Sequence, residues 1–459
     1  MTYRTGQVVE VTASDVAHGG WCVARPDSGP VIFVRHALPG ERVLARVTEV
    51  TSRLVRAEAV DILTASPDRV EPPCPQAGPG RCGGCDWQHA ALPAQRALKA
   101  AVIRQQLKRL AGIEREVTVE PLPGDGEDGQ RPAGTRPAGL GWRTRVQFTV
   151  RADGVAGLHA HRSHEVIDVG VCLIAHPVIT DLGIPQRRWP GVALVEALAG
   201  TASGESAVIV SPGRTGRTAA RSVPLEGVRA DSVLRRAGKP NRSLAPLRGR
   251  SYLSQRAAGR DWRVSAGAFW QVHPGAADAL ADAVLAALEP GRGDAALDLY
   301  CGAGLFAGVL APAVGPGGTV IGVESDRAAV RDARHNLREW PWAQVRHGDV
   351  AGILARHALP PARLVVADPP RAGLTREVID DLSRPGNGAA RLAYVSCDPA
   401  TLARDIGLLA THGWELDGLR AFDAFPMTHH VECLATLSRV VRGGPLPDLR
   451  LVSGRAAGQ

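Results

Sequence analysis

Apolar and polar positions alternate with a period of two through residues 6–63, in the runs GQVVEVTAS, WCVARP, GPVIFVRHAL and ERVLARVTEVTSRLVRAEAVDIL. Gly19-Gly20, Ser28-Gly29 and Pro39-Gly40 punctuate the runs, so the segment predicts five short strands joined by tight turns. Strands of this length close most simply into a small barrel, which offers a curved face and loops to oligonucleotides. The period then changes. Leu98, Val102, Ile103, Leu107 and Leu110 recur at helical spacing across residues 93–111, opposite a face of Arg, Lys and Gln. A Pro in the first turn and Gly112 beyond the end bound an amphipathic helix lying on a sheet. Alternation returns in WRTRVQFTVRADGVAGLHAHRSHEVIDVGVC, where Arg143 and Arg145 lie two apart. Side chains so spaced share a sheet face, which predicts a basic strip able to hold phosphates. Residues 192–262 are β-rich with no readable topology. From Ala276 to Leu288 the spacing predicts a long helix, and beyond it buried strand-like runs (ALDLY, TVIGVE, LVVA, LAYVS) alternate with helical stretches. That alternation implies a parallel α/β sheet.

Composition changes this picture little. A chain of 459 residues should form two or three domains and bury its own core; the expected boundaries are 1–63, 64–265 and 266–459. Residues 124–139, rich in Gly, Pro and Ala, read as a surface loop. The net charge of +8 permits an anionic partner such as RNA, with Arg35, His36, Arg42, Arg46, Arg53 and Arg56 recurring through the barrel. No apolar run reaches the roughly 18 residues that span a bilayer, and no signal-peptide core is present. A cytoplasmic protein with no membrane partner, monomeric by default, is expected.

Of the eight cysteines, Cys74, Cys82 and Cys85 form C-x7-C-x2-C inside SPDRVEPPCPQAGPGRCGGCDWQ, a stretch whose Pro and Gly prevent a regular element. The x2 spacing lets two thiolates reach one centre, and Cys172 is the candidate fourth ligand. Four thiolates suit either zinc or an iron–sulfur cluster. In the last domain Gly302 and Gly304 join a strand to a helix, Glu324 ends the next strand, and Asp349 and Asp368 follow two more. A tight glycine turn admits a ligand to the backbone, and an acid at the second strand end can take ribose hydroxyls. Ala307 stands where the dinucleotide fingerprint has its third glycine, which favours S-adenosylmethionine over a nicotinamide. Cys397, at the carboxyl end of a strand whose neighbour ends at Asp368, lies where open α/β sheets place ligands.

DLYCGAG, DPPRAGL, YVSCDPATLARD, FPMTHHVE, FWQVHP and the four cysteines resemble the bacterial and archaeal RNA uracil-C5 (5-methyluridine) methyltransferases, over nearly the whole chain. The resemblance implies an α/β chain: an N-terminal OB-like TRAM barrel, a central α+β iron–sulfur domain and a C-terminal Rossmann-like class I methyltransferase domain. It implies Cys397 as nucleophile and Glu432 as general base. It also implies that Gln271, Tyr300, Gly302, Glu324, Asp349 and Asp368 hold S-adenosylmethionine, and that Cys74, Cys82, Cys85 and Cys172 bind a [4Fe-4S] cluster. The implied substrate is structured RNA, 23S ribosomal RNA before the T-loop of transfer RNA. The chain departs from the family pattern at Asp398, where Asn is usual and where a carboxylate opposes thiolate formation by like-charge repulsion. His273 replaces a common Asn, Trp270 a common Phe, and Leu305 a frequent polar residue. Two further readings compete: a non-catalytic RNA-binding or RNA-folding factor, and a methyltransferase acting on cytosine C5.

Overall fold

The computed structural model describes residues 3–26, 29–125, 137–213, 226–236, 244–356, 359–384 and 386–439; most of the expected loop 124–139 lies outside the described residues. The alternating N-terminal runs become strands Val8–Ala17, Trp21–Ala24, Ile32–Arg35, Arg42–Val50 and Val55–Thr64, closed into a barrel. Val11, Ala13, Ile32, Val34, Val43, Ala45, Val47, Val55 and Ala57 fill its interior, as a period of two requires for a sheet folded on itself. Not every basic residue of the barrel faces solvent. Arg35 is only 2% exposed and pairs with Asp86 at 3.0 Å, so it serves the interior.

The next element corrects the helix expectation in detail. A helix spans Leu92–Gln106 and then widens into a π turn over Leu107–Ala111, ended by Gly112 at φ 69°. Val102, Ile103 and Leu107 are buried, but Leu110 is 43% exposed, because the wider turn rotates it off the apolar face. Gln95, Lys99 and Gln106, expected on the wet face, are buried instead.

The β-rich middle is a seven-stranded sheet in the order Leu244–Arg248, Ser232–Arg236, Ser206–Pro212, Val192–Ala199, Arg145–Val150, Ala156–His159, Val166–Ile167. A separate hairpin pairs Tyr252–Ala257 with Arg260–Ser265. The basic strip is not free for phosphate. Arg145 donates to Glu196 at 2.7 Å and to the Ala268 carbonyl at 2.6 Å, and Arg143 Nε donates to the Arg145 carbonyl at 3.1 Å.

In the last part of the chain, strands lie in the order Ala343–His347, Thr319–Glu324, Ala295–Leu299, Leu364–Ala367, Arg391–Ser396, Glu432–Arg439, Trp414–Phe422. The first five are parallel. Strand order reverses between Ala295–Leu299 and Leu364–Ala367, which marks the switch point where such sheets bind ligands. The chain resolves into two compact units. One holds residues up to Leu280 together with Cys397–Ala403 and Arg420–Cys433; the other holds Ala281–Ser396, Arg404–Leu419 and the strand from Leu434 on. No helix among the described residues is long and apolar enough to cross a membrane.

Candidate active site

In the second unit the switch point carries the strand-end residues. Tyr300 turns the chain with φ 63°, Gly302 with φ 54° and Gly304 with φ 90°. The two glycines do different work. A Cβ at Gly304 would meet the Ala333 Cβ at 3.2 Å, whereas one at Gly302 would meet nothing within 4 Å. Gly304 therefore serves helix packing, and Gly302 leaves its backbone open to a ligand. Glu324 accepts from Gly302 N at 3.0 Å and from Asp326 N at 2.6 Å. Asp349 is exposed and caps the helix Val350–Ala355 through Gly352 N at 2.9 Å.

The carboxylates here are crowded. Burial pushes the Asp368 carboxyl up to about 7. Asp298, which the motif reading passed over, is raised well above the usual range by burial and then by the charges of Asp368 and Glu324. Its Oδ2 accepts from Ala307 N at 2.7 Å, while Oδ1 is buried with no partner. An acidic strand-end cluster short of donors suits a cationic ligand. Asp405 ties the two catalytic-looking motifs of this unit together. It accepts from Tyr394 Oη at 2.6 Å and from Leu374 N at 2.9 Å, so DPPRAGL and the helix after Cys397 share one buried carboxylate.

In the first unit lie Gln271, Cys397 and Glu432. Gln271 and Glu432 are buried, and Cys397 is half-buried. Thr144 donates twice to the Val272 carbonyl, each at 2.9 Å, which clamps the Gln271 loop. His273 fixes that loop from the other side: its Nδ1 accepts from Gly275 N at 3.1 Å and its Nε2 lies 2.8 Å from Asp125 Oδ2. Asp398 begins the helix Pro399–Thr411, its Oδ1 accepting from Ala400 N at 3.0 Å and Thr401 N at 2.8 Å. An Asp at this cap replaces an Asn without loss of capping. Cys397, Asp398 and Glu432 surround the buried thiol of Cys433, which burial first and then these three groups push well up. Cys397 follows the strand Arg391–Ser396 and Glu432 begins its neighbour Glu432–Arg439, which brings the nucleophile and base candidates to one region.

The segment before Glu432 is pinned by residues that the motifs did not flag. Asp86 N and Trp87 N both donate to the Met427 carbonyl at 3.0 Å, and Met427 N donates to Gln95 Oε1 at 2.8 Å. His429 donates to Asp86 from its Nδ1 at 2.6 Å. Lys99, fully buried, reaches Asp423 at 2.5 Å and the Phe425 carbonyl at 3.0 Å. Nothing in the 93–111 pattern distinguishes Gln95 and Lys99 from surface polar residues.

Cys74, Cys82, Cys85 and Cys172 line one cavity with Leu158, Val169 and Arg143. Burial lifts the thiols of Cys82, Cys85 and Cys172, neighbouring thiols lift them further, and Arg143 draws Cys82 and Cys172 back. A Cβ on Gly83 would meet the His161 backbone at 2.6 Å, so that glycine admits a neighbouring chain segment to the loop. Among the described residues no group of three or more His, Cys, Asp or Glu is arranged to hold a metal ion. What the structure gives is four thiols lining one cavity.

The profile of the tRNA (Uracil-5-)-methyltransferase family matches residues 361–440, the stretch containing Asp368, Cys397 and Glu432. The TRAM domain profile matches residues 3–60, the barrel. A third profile, Protein-L-isoaspartate(D-aspartate) O-methyltransferase (PCMT), matches residues 276–356 around Gly302, Glu324 and Asp349. A Streptomyces avermitilis protein named "Uncharacterized RNA methyltransferase" is 51% identical over 95% of this chain and 100% of its own. One of the same description from Bifidobacterium longum is 34% identical over 95% of this chain and 98% of its own. Among solved structures, Pyrococcus abyssi tRNA (uracil-54, C5)-methyltransferase in complex with S-adenosyl-L-homocysteine superposes with a TM-score of 0.68 at 22% identity, covering 94% of this chain and 100% of that one. That likeness concerns the fold. Identity sustained across both units, with the barrel and the Cys397–Glu432 stretch each matched separately, places this chain in the S-adenosylmethionine-dependent RNA (uracil-C5) methyltransferase family.

Proposed function

We propose that the protein methylates C5 of a uridine in structured RNA, with Cys397 as nucleophile and Glu432 as base. The observation that carries this reading is that Cys397 directly follows the strand Arg391–Ser396 while Glu432 begins the neighbouring strand Glu432–Arg439, both residues lying in one compact unit. Uracil C5 is too electron-poor to attack a methyl sulfonium. When the Cys397 thiolate bonds to C6, the C5–C6 π electrons move toward C5 and O4, leaving an enolate-like carbon. C5 then bonds the donor's methyl carbon as the sulfonium–methyl bond breaks. Glu432 takes the C5 proton, the freed pair restores the C5–C6 double bond, and the C6–sulfur bond breaks to return the thiolate. The target base must leave its stack to reach Cys397.

Gln271, Tyr300, Gly302, Glu324, Asp349 and Asp368 hold the donor in this reading. Glu324 takes the ribose hydroxyls, the free oxygen of Asp349 takes the adenine amino group, and the crowded acids around Asp368 offset the cationic sulfonium and ammonium. Cys74, Cys82, Cys85 and Cys172 would hold a [4Fe-4S] cluster, which would supply a structural cross-link within the cysteine loop. Four thiolates would suit a single zinc as well as a cluster. Iron and acid-labile sulfide in anaerobically purified protein test this assignment; stoichiometric zinc overturns it.

Large-subunit ribosomal RNA is the substrate we favour. The T-loop of transfer RNA is the second reading, favoured by the family description and by the Pyrococcus abyssi protein's name. Transfer of labelled methyl from S-adenosylmethionine to each unmodified RNA, followed by nucleoside identification, decides between them and tests the reaction. 5-Methyluridine from one RNA is the expected product, 5-methylcytidine would establish the cytosine alternative, and RNA binding without transfer to either would establish the binding factor. Cys397→Ala should abolish transfer. Glu432→Gln should accumulate a covalent protein–RNA adduct, visible on a denaturing gel.

A further inference from the structure

The turn between the first two barrel strands reaches both catalytic segments. His18 Nε2 lies 3.3 Å from Asp398 Oδ2, with the two side chains 38% and 29% exposed. Two residues on, Gly20 adopts φ 81°, and a Cβ there would meet the His429 Cβ at 3.0 Å and the Asp86 Cβ at 3.2 Å. Only a glycine lets the turn sit this close to the segment before Glu432. All of these residues belong to one compact unit.

We propose that His18 is a positioning residue for the nucleophile: it orients Asp398 and offsets its charge beside Cys397, so that the barrel completes the catalytic site. This rests on the reading of Cys397 given above. Asp398 is a divided carboxylate. Oδ1 is committed to the amides of Ala400 and Thr401, and Oδ2 faces His18. A bare carboxylate next to the nucleophile opposes formation of the thiolate. A protonated imidazole on its far oxygen cancels that field and fixes the residue after Cys397 in one orientation. Asp398 is the charged group that acts on His18, His18 and the backbone and side chain of Thr401 act in turn on Asp398, and Cys397, Asp398 and Glu432 all bear on the Cys433 thiol. The hydrogen bond and charge of Asp398 raise the His18 pKa above 6.5 against the effect of burial, which favours the charged form near neutrality.

The test is a double-mutant cycle read by single-turnover methyl transfer and by RNA affinity, with Cys397→Ala as a parallel control and thermal melting to confirm folding. His18→Ala should slow transfer about fivefold, the scale of one partly exposed charge pair, with RNA affinity unchanged. Asp398→Asn keeps the cap and removes the charge, and in that background His18→Ala should have little further effect. The wild-type advantage over His18→Gln should shrink as pH rises through the His18 titration. Equal losses from His18→Ala in both backgrounds, or a loss confined to RNA affinity, would overturn the proposal. If Cys397→Ala itself retains transfer, the reading of the nucleophile fails instead, and the two failures are told apart.

Discussion

The strand ends proposed to hold the donor and the segments carrying Cys397 and Glu432 are built in opposite ways. At the donor end, each residue is placed by the strand that precedes it: Glu324 ends Thr319–Glu324, and its partner Gly302 follows the adjacent parallel strand. The segments carrying Cys397 and Glu432 are held from afar, by Gln95 and Lys99 on Met427, Asp423 and Phe425, by Asp86 on His429, and by His18 on Asp398. A site made by sheet topology tolerates change in the rest of the chain. One made by long-range polar contacts depends on the barrel and the cysteine loop being folded.

The sharpest way to break this comparison is Lys99→Met, which leaves Asp423 buried and unpaired. Removing one partner of a buried pair costs about 3–5 kcal/mol, so thermal melting should show a large loss, with much of it recovered in Lys99→Met/Asp423→Leu. A normal melting curve for the single variant would mean that Lys99 does not anchor this segment. Gly20→Ala comes next. Left-handed φ costs a non-glycine residue about 1–2 kcal/mol, and the tight contacts with His429 and Asp86 add to it. Methyl transfer should fall while calorimetric affinity for S-adenosylhomocysteine stays at the wild-type value.

Gly302→Ala is the reciprocal change. With no protein atom near the added Cβ, the cost to folding is limited to the same backbone strain of about 1–2 kcal/mol, and the main loss should be in donor affinity. A variant that binds donor normally would show that the open side of Gly302 is not where the ligand approaches.

The smallest effect concerns pH. The Asp368 carboxyl is raised from 3.8 to about 7 by burial, so its contribution to stability is present below about 4 and is lost as pH rises through about 7. A cationic donor prefers the ionised form, so its affinity should rise over the same range. Asp368→Asn should flatten that rise; an unchanged pH profile would detach Asp368 from the donor's charge.

The barrel, the parallel sheet, the glycine turn after Ala295–Leu299 and the Cys397 and Glu432 motifs were legible in the sequence because each is encoded by neighbours along the chain. A period of two makes a strand whichever partner it finds, and a glycine between strand and helix makes a turn. What the sequence could not separate was the destination of polar residues. Arg145 read as a phosphate contact and is spent on Glu196; Lys99 read as solvated and is buried against Asp423. Arg35 read as part of a basic face and holds Asp86.

From the sequence alone came the two kinds of sheet, the family resemblance and the identity of the chemically able residues. Only the tertiary structure decided that the four cysteines share one cavity, that the helix buries a polar seam, and that His18 meets Asp398. The physical reason is the range of the interactions. Hydrophobic periodicity is written in residues a few positions apart, whereas a buried charge finds its partner hundreds of residues away, where only the assembled fold brings the two within hydrogen-bond reach.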